Sequence, residues 1–206
     1  MTTNNQEIES KFYVRNLAAV ETVLKNLGAT CIVPRGFEYN LRFDDPQNSL
    51  TRQGRVLRLR KYDDVRMTYK GAGERINKAL SRIEIELVVN DFDQAQKFLE
   101  GLGYRVAAVY EKYRAMYKFG DFLVTLDELP YGNFIEIEAE SSEQIAGLAR
   151  QLGLNPEAAV PVSYQGLFEF VRNARNLPVK NLAFWEFEKI HLTAEDLGVQ
   201  PADLEE

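Results

Sequence analysis

One cysteine and one histidine stand among the 206 residues. The lone Cys31 excludes an intrachain disulfide and a cysteine-built zinc site. Set beside Ala29, Ile32 and Val33, it is expected to be an inert, packed thiol. The lone histidine, His191, falls in the C-terminal tail, so the body of the chain offers neither a histidine base nor a histidine metal ligand. No apolar run approaches the length of a membrane span. The N-terminus lacks the basic start and apolar core of a signal peptide, and a cytoplasmic protein is the expectation. Positive charge is not in excess: the net charge is −6 and the isoelectric point near 5.1. That balance argues against a general nucleic-acid binder, whose phosphate contacts need a basic footprint, although a local basic pocket escapes the argument. Neither a nucleophile elbow nor a glycine-rich phosphate loop occurs.

What the chain does have is alternation. Residues that are 45% apolar suffice for a globular core, and the length suits one domain with an appendage. Glu7-Ile8-Glu9-Ser10-Lys11 and Phe134-Ile135-Glu136-Ile137-Glu138 both alternate charge with non-charge. In a strand, residues two apart share a face. Strands are expected over 6–14, 37–43, 55–62, 65–70, 80–89, 104–118, 122–128 and 134–140. Helices are expected over 16–28, after a cap at Asp91, over 143–152 after Ser141 or Ser142, and over 163–172. The order is strand, helix, four strands, helix, three strands, helix. Such a run of antiparallel strands favours an α+β fold built on a closed barrel with helices outside, since closure removes exposed edges.

The ionised residues collect on one face of each strand: Glu7, Glu9 and Lys11; Arg58 and Arg60; Lys70; Arg82, Glu84 and Glu86; Lys112 and Arg114; Asp127; Glu136, Glu138 and Glu140. The opposite faces carry Ile8 and Phe12, Leu57 and Leu59, Met67 and Tyr69, Ile83, Ile85 and Leu87, Val124 and Leu126, Ile135 and Ile137. A single Glu-x-Glu or Arg-x-Arg is ordinary for a solvated strand face. Repetition over seven strands is not, and it points the charged face into the barrel. A lipocalin-type barrel would need the reverse parity. Unpaired buried ions cost several kcal/mol each, so such an interior must be wet, internally paired and able to accept ions. Carboxylates supply hard oxygen ligands for Mg²⁺ or Mn²⁺, and Arg and Lys grip phosphate oxygens. The combination suits a polyphosphate bridged to a divalent metal and needs no protein nucleophile. Asp44, Asp45, Glu100 and Glu111 read as loop or surface residues, and Tyr113 and Tyr117 as outer-face packing.

These strands resemble the CYTH family, the triphosphate tunnel metalloenzymes. Glu7-Ile8-Glu9-Ser10-Lys11 matches its ExExK signature, and Leu57 to Arg60, Thr68 to Gly71, Arg82 to Glu86, Glu111 to Arg114, Leu126 to Leu129 and Phe134 to Glu138 follow in the family's order. The resemblance spans roughly residues 5–172. It implies an eight-stranded antiparallel tunnel that binds triphosphate with Mg²⁺ or Mn²⁺. Carried over by motif, Glu7, Glu9, Asp127, Glu136 and Glu138 would hold metal, and Lys11, Arg58, Arg60, Lys70, Arg82, Lys112 and Arg114 would hold substrate. Lys11, Arg58, Arg60, Lys70, Glu84 and Glu86 would form the catalytic set, with the last two orienting the basic residues. The stretches at 111–117 and 119–127, with Ser163-Tyr164, resemble the branch of class IV adenylyl cyclases and thiamine triphosphatases. Three activities follow: hydrolysis of tripolyphosphate, thiamine triphosphate or nucleotides; cyclisation of ATP to cyclic AMP and pyrophosphate; or non-catalytic polyphosphate binding. Hydrolysis is favoured because it demands less of the site. Residues 173–206 form an extension without a counterpart in that branch. Its Phe184, Trp185, Phe187, Ile190 and Leu192 are expected to dock on the domain or on the partner of a homodimer, with a helix start at Thr193.

Overall fold

The computed structural model describes residues 8–76, 79–81 and 83–203. Its strands are β1 (Ile8–Val14), β2 (Thr30–Asp44), β3 (Val56–Lys61), β4 (Val65–Lys70), β5 (Glu74–Ile76), β6 (Ala79–Ser81), β7 (Glu84–Val89), β8 (Arg105–Phe119), β9 (Phe122–Leu129) and β10 (Gly132–Ala139). Its α-helices are α1 (Leu17–Asn26), α2 (Ser49–Arg52), α3 (Phe92–Gly101), α4 (Ser142–Gln151), α5 (Tyr164–Ala174) and α6 (Phe184–Phe187). Eight strands form one antiparallel sheet in the order β1-β10-β9-β8-β2-β3-β4-β7, which curls into a barrel-like tunnel; β1 and β7 are its edge strands, and β1 is bridged at Phe12 to Ala159. The expected strand over 80–89 is divided instead: β5 and β6 make a separate hairpin, and β7 joins the main sheet. β2 begins seven residues before its expected start, because it follows β8 through register shifts around Val33 and Gly36. Pro34 lies between those shifts, and a proline cannot donate to a regular ladder.

Parity holds across the sheet. Ile137, Ile135, Phe12, Val14, Val124 and Leu126 are buried on the outer face beneath α1 and α4. Leu41, Phe43 and Leu59 are buried with Ala95 and Leu99 of α3. The helices start where their caps stand: Asn16 accepts from Ala19 N at 3.0 Å, Asp91 from Gln94 N at 3.0 Å, and Ser141 and Gln144 close a capping box. The outer face of β7 departs from the expected covering. Ile83, Ile85 and Leu87 are exposed there, as are Phe98 and Leu102 on neighbouring α3.

The tail packs on the barrel. Leu182 bridges to β8, donating to Val109 O at 3.1 Å and accepting from Glu111 N at 2.9 Å. Val179, Leu182, Phe187 and Leu197 are buried with Leu167, Phe168 and Val171 of α5. The same cluster takes in Tyr13, Phe134 and Leu129. These three continue the charged faces of β1, β10 and β9, so one end of the barrel interior is filled by α5 and the tail. Thr193 and Asp196 cap a turn and not the expected helix.

Three readings are overturned here: a packed thiol at Cys31, a loop residue at Asp44 and a surface residue at Glu111. Cys31 is exposed at the start of β2. Asp44 is buried, its carboxylate accepting from Leu50 N and Thr51 N at 2.9 Å each at the start of α2. Glu111 is buried too, accepting from Phe184 N at 2.9 Å; burial raises its carboxyl pKa above the ordinary value.

Candidate active site

The inward faces enclose a cavity of about 1070 Å³. One wall comes from β1 and β10. Register sets Glu9 directly opposite Glu138 and Lys11 opposite Glu136, and all four line the cavity. Lys11 Nζ lies 3.0 Å from Glu136. Like charges face to face on adjacent strands, as Glu9 and Glu138 are, destabilise a sheet unless cations accompany them.

The facing wall comes from β2, β3 and β4. Arg42 stands opposite Arg58, and Arg60 opposite Arg66. Carboxylates orient most of this set. Thr68 Oγ1 donates to Glu86 at 2.9 Å, Arg66 donates to Glu86 at 2.8 Å, and Arg58 lies 3.7 Å from the same carboxylate. Lys70 pairs with Glu84 at 2.6 Å, and Arg60 with Asp64 at 3.3 Å. Burial works against the Arg58 charge, yet Tyr110, Glu38 and Glu84 raise its pKa above the ordinary guanidinium value. The Nε atoms of Arg55, Arg58 and Arg60 are buried without a hydrogen-bond partner. Buried donors left unmet cost about 1–3 kcal/mol, more when charged, and their need is for anionic oxygen.

Between the walls lies a charge network in which Glu38, Lys112 and Asp127 are buried and Arg114 and Glu136 reach the cavity. Arg114 donates to Asp127 from Nε at 2.6 Å and Nη2 at 2.5 Å, and to Glu136 at 2.7 Å. Lys112 lies 3.2 Å from Asp127 and 3.6 Å from Glu38. Burial pushes the Glu38 carboxyl up, but Lys112, Arg114 and Arg58 outweigh it and hold the pKa at about 2. Burial likewise opposes ionisation of Glu136, and Lys11, Arg114 and Lys112 hold it far below the carboxylate range. Tyr164, first residue of α5, donates to Asp127 at 2.8 Å. Its ring lies 4.3 Å from Lys11 Nζ and 5.2 Å from the Phe134 ring, so it stands between the charged cavity and the aromatic filling.

Of the residues singled out from sequence, Glu9, Lys11, Arg58, Arg60, Lys70, Glu84, Glu86, Lys112, Arg114, Glu136 and Glu138 line this one cavity. Asp127 lies deeper, its oxygens occupied by Lys112, Arg114 and Tyr164. Glu7 and Arg82 fall outside the described residues. Sequence reasoning missed Glu38, Arg42, Arg55 and Arg66 and took Tyr164 only as part of a branch motif. The alternation of Glu38, Asn40 and Arg42 was a signal of the same kind as that on β1. Arg66 is two residues from Thr68 on the face of Lys70. Tyr164 sits on a helix, where strand parity says nothing.

Among the described residues no three carboxylates surround one point as a ready metal cluster. Mg²⁺ keeps several waters and binds through one or two carboxylates plus substrate phosphates. The donor chemistry of Glu9 and Glu138 fits such an ion.

Residues 5–164 match the family model described as the CYTH domain. The chain is 29% identical over 174 residues to the adenylate cyclase CyaB of Aeromonas hydrophila, covering 79% of this chain and 88% of that one. Among solved structures, a candidate adenylate cyclase from Vibrio parahaemolyticus is similar at 26% identity with a TM-score of 0.73, over 81% of this chain and 99% of the other. The PH1012 protein of Pyrococcus horikoshii is similar at 28% identity with a TM-score of 0.65, over 77% and 96%.

Proposed function

Because the chain belongs to the CYTH domain family, whose model spans most of it, we propose that it is a divalent-metal-dependent enzyme that hydrolyses the terminal phosphate of a triphosphate. The observation that carries this reading is the two orphaned guanidinium nitrogens of Arg58 and Arg60, buried on one wall of the cavity. They answer to phosphate oxygens, which Arg takes bidentately. Lys70 joins them on that wall, and Lys11, Lys112 and Arg114 complete the grip from the other sides of the cavity. Glu84, Glu86, Glu38 and Asp127 act as positioning residues, each holding one or more of those cations in a fixed direction. Glu9 and Glu138, with Glu7 before them in the motif, would hold Mg²⁺ or Mn²⁺. When bound, the ion supplies Lewis acidity toward the phosphate oxygens.

The reaction needs positioning and charge stabilisation more than covalent chemistry. A water oxygen bonds to the terminal phosphorus as the bridging P–O bond breaks, and the bond's electron pair leaves on the bridging oxygen. Arg58, Arg60 and Lys70 face charge that builds on the leaving side, in a cavity where fixed cations need no reorganisation. A second reading, cyclisation of ATP with release of pyrophosphate, is favoured by two observations. The Aeromonas hydrophila relative bears the cyclase name. Val33, Met116 and Leu123 also give the cavity an apolar shelf beside Glu138, where an organic group could rest.

The test is incubation with tripolyphosphate, thiamine triphosphate and ATP in Mg²⁺ or Mn²⁺, followed by phosphorus NMR. Orthophosphate release is the expected result. Pyrophosphate with cyclic AMP would replace hydrolysis by cyclisation, and no turnover of any of the three would overturn both.

A further inference from the structure

Nine lysine and arginine side chains line the cavity. Seven of them, Lys11, Arg58, Arg60, Arg66, Lys70, Lys112 and Arg114, have a carboxylate within ion-pair distance. Arg42 and Arg55 are the two that carry no ion pair among the described residues. Arg42 is placed by register directly opposite Arg58, a like-charge juxtaposition that destabilises the sheet when nothing lies between the two. The nearest acid in the chain, Asp44, cannot relieve it, because its oxygens accept from Asp45, Leu50 and Thr51 N–H groups. Arg55 is held at the head of β3 by its own N–H to Leu50 O at 2.8 Å. One end of its guanidinium meets Gln53, while Nε is buried and unmet.

From these observations we infer that Arg42 and Arg55, with Arg58 shared, form an additional anion subsite that takes a fourth phosphoryl group of a linear phosphate chain. The inference deepens the triphosphate reading and rests on it. Arg58 belongs to both groups, so the subsite adjoins the triphosphate cradle and would be met by the next unit of the same chain. Guanidinium forks on several sides match the several oxygens of a phosphoryl group, whereas a carboxylate fills only one fork.

The experiment measures equilibrium binding to the full chain by calorimetry in metal-free buffer, where no turnover occurs. Two ligand pairs are compared: tripolyphosphate with tetrapolyphosphate, and ATP with adenosine 5′-tetraphosphate. The wild type is expected to bind the four-phosphate member of at least one pair more tightly. Preference in the inorganic pair alone assigns the group to inorganic chains, and preference in the nucleotide pair alone to nucleotides. Arg42→Gln and Arg55→Gln should each lower that preference about tenfold or more, the scale of one charge-assisted hydrogen bond. Arg58→Gln should weaken both members of a pair. Because each ratio is taken within one variant, a partly unfolded sample does not mimic the result, and either of the two variants suffices if the other fails to fold. Equal affinity for three and four phosphates in the wild type, or a preference untouched by both substitutions, overturns the subsite. Loss of turnover in the NMR assay with the binding ratio intact would instead overturn only the catalytic reading.

Discussion

Glu9 and Glu138 face each other across β1 and β10, and their opposition couples stability to metal binding. Glu138→Gln removes one of two like charges, so the metal-free protein should gain about 0.2–1 kcal/mol. The same change should weaken Mg²⁺ binding and lower activity. Thermal melts with and without Mg²⁺ check both, and a variant with unchanged metal-dependent stabilisation would remove Glu138 from the metal set. Glu38 makes a statement about pH. Its folded pKa of about 2 lies below the ordinary 4.5, so its ionised form contributes stability that is complete above about pH 4.5 and is lost as pH falls toward 2. The difference corresponds to a loss on the order of 3 kcal/mol. Glu38→Gln should flatten that part of the acid-denaturation profile, read as urea midpoints from pH 5 to 2. A profile as steep as the wild type's would assign the acid lability to other carboxylates.

At the scale of elements, the tail is an added piece of the barrel. Its Leu182 joins the edge of β8, and the Glu111 carboxylate fixes the turn into α6 through Phe184 N–H. A buried Leu or Phe contributes about 1.5–3 kcal/mol, and the tail buries Leu182, Phe187 and Leu197. Truncation after Asn173 should therefore lower the Tm and expose apolar surface to a dye, and Glu111→Ala should cost about 1–3 kcal/mol by leaving a buried N–H unmet. A truncated chain as stable as the full one would show the contacts to be idle. Much of this architecture was legible in sequence where the period-2 pattern was clear: β3 and β10 alternate ion with aliphatic, β1 alternates ion with uncharged residues, and their inward faces follow from parity alone. β2 was less legible because Glu38, Asn40 and Arg42 are mixed in type. The depth of Glu38 comes from its pairing with Lys112, 74 residues away, and register between distant strands is not written in either one. The break between β6 and β7 was hidden by an alternation that runs through it unchanged. The resemblance supplied the grouping of metal and phosphate residues, and it did not extend to Arg42, Arg55 or the tail.

For the whole molecule, the contrast is between a chain of net charge −6 and a cavity whose lining holds nine cations against six carboxylates. The bulk surface repels a polyanion while the cavity attracts it, so capture should depend steeply on ionic strength. Raising NaCl from about 50 mM to about 500 mM is expected to raise the apparent KM for tripolyphosphate more than it alters kcat, since the buried pairs are screened least. Equal losses in both would place the salt effect on the chemical step. The aromatic filling has a further consequence. Tyr13, Phe134, Leu129 and Tyr131, backed by α5 and the tail, occupy one end of the barrel, and Tyr164 borders the cavity on that side. If that filling seals its end, the cavity acts as a cul-de-sac. Whatever enters first must leave last, so the fragment nearer the mouth departs before the one lodged against Tyr164. The deeper product then blocks the next arrival, and of the two it alone should inhibit in strict competition with fresh substrate.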